Sequence, residues 1–112
     1  MSKSYKFVVL ANAADGQDAE FNAWHSKTHL PEVVRAAGFI RAERMKLVPG
    51  TGGDGESYQY LIVFEGSGDQ PVDALQRLGA AVADGKIAMS DSLGAPLWSG
   101  LFEEIPGASF AA

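Results

Sequence analysis

The stretch Tyr58-Gln59-Tyr60-Leu61-Ile62-Val63-Phe64-Glu65 decides the fold. Its β-branched and aromatic side chains mark a strand. Alternation puts Tyr60, Ile62 and Phe64 on one face and Leu61 and Val63 on the other. A strand with one wet face would alternate apolar and polar residues, so both faces of this sheet need cover. Residues 5–11 (YKFVVLA) repeat the pattern, with Tyr5, Phe7 and Val9 opposing Val8 and Leu10. Residues 97–105 (LWSGLFEEI) repeat it again, with Leu97 and Leu101 opposing Trp98 and Phe102.

Around these strands the periodicity changes. After the turn residues 12–16 (NAADG), with Asp15 as the expected cap, Phe21, Trp24 and Thr28 recur at helical spacing. Pro31 lacks an N–H and disfavours helix at Leu30, so a break is expected there, with a second helical piece over 31–37 ended by Gly38. Residues 39–48 read as a strand with Phe39, Met45 and Leu47 on one face, and 49–57 (PGTGGDGES) as a flexible hairpin loop. Residues 71–84 read as a helix, and 86–96 as an irregular segment holding at most a helical turn.

The resulting order, β-α-β-β-α-β over 1–112 as one domain, is ferredoxin-like: an α+β fold whose antiparallel four-stranded sheet carries both helices on one face. The other face is apolar and calls for a partner, most economically a second copy stacked sheet on sheet as a homodimer.

The chain has 112 residues, 46% hydrophobic and 21% charged, which is an ordinary globular balance. Its net charge is −5 and its nine Lys and Arg are scattered, which argues against nucleic acid. No apolar run is long enough to span a membrane, and residues 1–6 lack a signal-peptide pattern, so a cytoplasmic setting is expected. With no cysteine there is no thiol nucleophile or thiolate metal site.

Chemistry concentrates in one segment, Glu20-Phe21-Asn22-Ala23-Trp24-His25-Ser26-Lys27-Thr28-His29-Leu30-Pro31-Glu32-Val33, which holds both histidines of the chain. His25 and His29 stand at i, i+4, a spacing used by metal ligands. Ser26 replaces the glutamate of H-E-x-x-H, and beyond Glu32 nothing suggests a third ligand, so no metal is expected. Alternatively the pair moves protons without a cofactor, since imidazole titrates near neutrality. Tyr60 or Tyr58, and Arg44 or Arg41, would then stabilise developing negative charge. A plainer reading leaves His25 solvated on a polar helix face and has His29 cap the broken helix end. The glycine-rich loop matches neither phosphate-binding pattern, and no serine has a nucleophile-elbow context.

The same segment, followed by Gly38-Phe39, Arg41-Ala42-x-Arg44 and Tyr60-Leu61-x-x-Phe64-Glu65, resembles EthD-like members of the dimeric α+β barrel superfamily. The resemblance implies subunits paired through their sheets. It further implies cofactor-independent lyase or isomerase chemistry, of dehydratase or cyclase type, on a small aromatic or cyclic metabolite. The family's usual acid or base is the histidine of the W-x-x-x-x-H run, which here is His29. His25 departs from the pattern, where tyrosine is common, and is expected to assist. Trp24, Phe7 and Phe64 are expected to line the pocket. Non-catalytic binding of a small molecule, and heme- or oxygen-using chemistry, are the alternatives.

Overall fold

The computed structural model describes residues 2–53, 55 and 57–112. Four strands form one antiparallel sheet: β1 (Lys3–Ala11), β2 (Arg41–Lys46), β3 (Tyr60–Gly68) and β4 (Trp98–Glu103), in spatial order β2-β3-β1-β4. The helices are α1 (Asp18–Trp24), α2 (Leu30–Ala37) and α3 (Val72–Ala83). This is the ferredoxin-like α+β fold that the element order implies.

Strand register sorts the side chains into two faces. Phe7 pairs with Phe64 and Leu101, and Val9 with Ile62 and Ser99. These residues lie under the helices, where Phe21, Ile62, Phe64 and Val33 form the core. On the opposite face Val8 pairs with Val63 and Gly100, and Leu10 with Leu61 and Trp98. That face keeps Met45, Trp98 and Phe102 exposed at 52%, 42% and 53%.

Three expectations need correction. The helix does not break at Pro31. A π-helical turn over His25–His29 joins α1 to α2, and the Leu30 N–H reaches back to the His25 carbonyl. In a regular α-helix the proline ring clashes with the carbonyl four residues earlier, and the wider turn just before Pro31 relieves that conflict. The α1 helix starts after Gln17 with no side-chain cap, so Asp15 does not cap it. Finally, β2 is shorter than 39–48, and Phe39 and Met45 do not share a face. Phe39 is buried against Phe7 and Phe64 at ring distances of 6.3 and 5.2 Å, whereas Met45 pairs with Leu61 on the open face. The chain is still turning at Ile40, so strand alternation starts only at Arg41.

Gly38 ends α2 in the left-handed region at φ 77°, where a Cβ would be strained. The final carbonyl of α2, Ala37, accepts from Arg77 Nε and Nη2 at 2.9 and 2.7 Å, which ties α3 to the end of α2. The 86–96 segment forms no helix. It crosses back over the helix-covered side, pinned by an Ala13–Leu93 bridge and by Gly94 N–H donating to Asn12 O at 2.8 Å. A Cβ on Gly94 would sit 2.7 Å from the Ala13 carbonyl oxygen, so only glycine permits this approach. Of the loop 49–57, Asp54 and Glu56 lie outside the described residues.

Candidate functional site

The π turn carries both histidines. In an α-helix residues i and i+4 lie 40° apart around the axis. On the π turn the His25 and His29 rings likewise share one face and meet edge to face, with centroids 4.9 Å apart. Trp24 stacks on His29 at 4.6 Å and 29°, and Phe21 meets His25 edge-on at 5.3 Å. Trp24 is itself fixed by its indole N–H, which donates to the Ala88 carbonyl at 3.2 Å. The Ala88 N–H donates to Glu32 Oε1 at 2.9 Å, so the loop is fastened to the helix through both groups of one peptide residue.

Between this helix, the sheet, α3 and the 86–97 segment lies a cleft of ≈ 270 Å³. Phe7, Val9 and Phe64 form its floor, Leu78 and Val82 one wall, and Ile87, Met89 and Leu93 its roof. The polar side chains on its surface are His25, His29 and Ser99. Trp24 lines it as well. The roof residues escape sequence reading because 86–97 has no periodicity. Its recoverable signal is four large apolar residues (Ile87, Met89, Leu93, Leu97) in an irregular segment, which marks a loop lying on apolar surface.

Both imidazoles are unusual. His25 is only 4% exposed, which rules out a solvated position on a polar face. Its Nδ1 and that of His29 are occluded without a hydrogen-bond partner. Burial, then the neighbouring His29 and Arg44, push the His25 pKa from 6.5 down to about 3. Burial also lowers the His29 pKa, while the Ala88 backbone and Glu32 pull partly the other way. Both rings are neutral at physiological pH. Glu32, the nearest carboxylate that could join them around a metal, has Oε1 committed to Ala88.

Tyr60 and Arg44 are not part of the cleft surface. They lie beyond Phe21, in a network on the β2 side of the helix. Arg44 Nη1 donates to Ser26 Oγ at 2.7 Å, and Nη2 donates to Asn22 Oδ1 at 2.8 Å. Asn22 Nδ2 donates to the Tyr60 hydroxyl at 3.2 Å, and that hydroxyl donates to Asp18 Oδ2 at 2.7 Å. The Arg44 guanidinium also sits 5.4 Å from the ring centres of both Phe21 and Tyr60. Burial first, then Asp18, raises the Tyr60 pKa and keeps the phenol protonated. Arg41 lies on the open face, paired with Glu65 at 3.0 Å. A larger concavity of ≈ 780 Å³ near that pair is lined by Lys6, Arg41, Glu65 and Glu103. Its charges neutralise one another, as in the Lys6–Glu65 contact at 3.6 Å, so it offers less chemistry than the smaller cleft.

The fold and cleft together define a ferredoxin-like α+β protein with a ligand-sized hollow under its helices. Among solved structures the similarity falls on EthD-like proteins. An ethyl tert-butyl ether D (EthD) family protein from Bacillus halodurans is 18% identical, with a TM-score of 0.56 over 91% of this chain and 99% of its own. An EthD-like protein from Ralstonia eutropha is 17% identical, with a TM-score of 0.58 over 89% and 92%. A dimeric ferredoxin-like protein of unknown function from Thermobifida fusca is 19% identical, with a TM-score of 0.53 over 89% and 90%. No protein-family profile and no curated protein matches the chain. These likenesses show a ferredoxin-like fold. No helix among the described residues is long and apolar enough to cross a membrane.

Proposed function

We propose that this chain is a cofactor-independent lyase or isomerase, of dehydratase or cyclase type, that moves a proton on a small aromatic or cyclic molecule held in the cleft. The observation that carries the proposal is the pair of imidazoles, with occluded and unpartnered Nδ1 atoms, on a wall that is otherwise apolar. Buried polar groups without partners are rare and costly, and they cluster where function requires them. With its pKa lowered, His29 enters the cycle neutral, as a base. It takes a proton from an activated C–H at Nε2 and returns it to another atom of the same molecule. In an isomerase the acceptor is carbon. In a dehydratase it is the departing hydroxyl, which leaves as water. His25 stays uncharged throughout and orients the substrate through a hydrogen bond, while Trp24, Phe7 and Phe64 pack against the ring. Arg44 and Tyr60 serve the site indirectly by holding the helix that carries it.

A homodimer completes the proposal. The exposed Trp98, Phe102 and Met45 form a sheet face suited to a second copy. The dimeric Thermobifida fusca structure supports the same assembly. A cytoplasmic setting goes with this reading.

Deuterium exchange of a cyclic ketone tests the chemistry without knowledge of the natural substrate. In D2O the protein should accelerate exchange α to the carbonyl of 2-tetralone, with a rate that is level above pH 6.5 and falls below it as His29 takes up a proton. His29→Gln should lose about a hundredfold or more. Equal rates for the two proteins, with matching circular dichroism, would refute the assignment. The second reading is a non-catalytic binder using the same cleft. It is favoured by the packing of both imidazoles on Trp24 as members of one aromatic cluster, and it predicts binding without exchange.

A further inference from the structure

We infer that the cleft selects an uncharged ligand, a single ring or small fused pair with one hydrogen-bonding end directed at His25 and His29, and that it excludes carboxylates and ammonium or amidinium groups of the same shape. The inference rests on the reading of the cleft as a ligand site and goes on to fix the class of molecule it accepts.

Size sets the first limit. At ≈ 270 Å³ the cleft falls below the roughly 300 Å³ at which pockets for drug-sized molecules begin. Charge sets the second. No Lys, Arg, Asp or Glu among the described residues lines the cleft, so an ion entering it would lose water and gain no counter-charge. The nearest charged groups are already committed elsewhere. Arg44 directs Nη1 and Nη2 to Ser26 and Asn22, on the far side of the Phe21 ring. Glu32 Oε1 accepts the Ala88 N–H. The histidines offer hydrogen bonds without charge, since burial holds both below their ordinary titration range. A neutral imidazole has one N–H and one bare nitrogen, so the wall suits an amide, ketone, phenol or lactone end. Apart from Ser99, the remaining lining is aliphatic or aromatic, and it rewards an apolar body.

Three planar molecules of nearly one shape separate the possibilities: benzamide, benzoate and benzamidinium, titrated at pH 8 into the full chain. Binding is read from the ring C–H resonances of His25 and His29, with Trp98 on the opposite sheet face as a control. Benzamide should shift both histidines and bind at least tenfold more tightly than either ion, leaving Trp98 unmoved. The inference is overturned if benzoate or benzamidinium binds as tightly as benzamide, or if none of the three moves the histidine signals. The readout involves no turnover, so the two proposals fail separately. Exchange unaffected by His29→Gln would remove the proton chemistry and leave the ligand class standing. Preference for an ion alongside intact exchange would do the reverse.

Discussion

Two polar clusters share the helical segment 18–37, one on each side of the Phe21 ring. On the β2 side Arg44, Asn22, Ser26, Tyr60 and Asp18 bond to one another, and among the described residues the buried atom left without a partner there is Arg44 Nε. On the cleft side His25 and His29 touch each other and Trp24, yet the Nδ1 atom of each lacks a partner. The groups differ less in chemistry than in what remains open to them. A network whose members satisfy each other stabilises the fold and has little capacity left for a ligand. A pair held in place by ring packing commits less of its hydrogen-bonding capacity to its neighbours. The lesson for reading candidate sites is that residue type nominates a group and its hydrogen-bond partners decide its task. Tyr60 and Arg44 have the right chemistry for stabilising an anion, and here they are already engaged.

The comparison is broken most severely by removing the ring between the two clusters. Phe21 is fully buried, and Phe21→Ala should cost about 3–5 kcal/mol in urea unfolding, because the cavity adds to the lost burial. A cost under about 1 kcal/mol would mean the ring does not separate the clusters. Next comes Arg44→Met, which removes the cation and strands Asn22 and Ser26. It should destabilise by about 1.5–3 kcal/mol, the range for hydrogen bonds to a charged group. If activity falls without a loss of stability, Arg44 acts on substrate directly and the division of labour is wrong. The smallest effect, counted per unit of pH, is that of pH on stability. The unfolded chain takes up a proton at each histidine near 6.5, whereas folded His25 resists until about 3. Stability should therefore hold above pH 6.5 and fall as pH drops below it, by at most about 1.4 kcal/mol per pH unit for each proton. His25→Phe should flatten the fall in a series of thermal melts, and an unchanged slope would deny that His25 is buried neutral.

Much of the fold was legible because it depends on short-range patterns. Leu61 and Val63 opposite Ile62 and Phe64 announce a sheet that is apolar on both faces, and the element order gives the ferredoxin-like topology. Pro31 was misread as a break, because a sequence rule knows the cost of proline in a regular helix and not the remedy of widening the turn before it. The bonds from Arg44 to Asn22 and Ser26, and from Arg77 to Ala37, were invisible for another reason: they join residues 18 to 40 positions apart, and only register brings them together. Among the site residues, Trp24, His25 and His29 stood out as a run. The roof residues Ile87 and Met89 did not, since an aperiodic segment carries no sign of what it covers.

The π turn has a further consequence, best put as counting. Compared with an α-helix it is a segment holding one residue too many for its number of turns, so the relation between the two halves of the helix is stored in chain length as well as in side chains. Closed as ordinary α-helix with all its residues kept, the segment would pass that surplus residue downstream. Everything downstream would then be turned about 100° relative to α1. Val33 and Ala37 would leave their buried positions with every side chain still present. Deleting one surface position such as Lys27 would instead remove the surplus and keep α2 in phase, so the segment should tolerate a lost residue better than an added one.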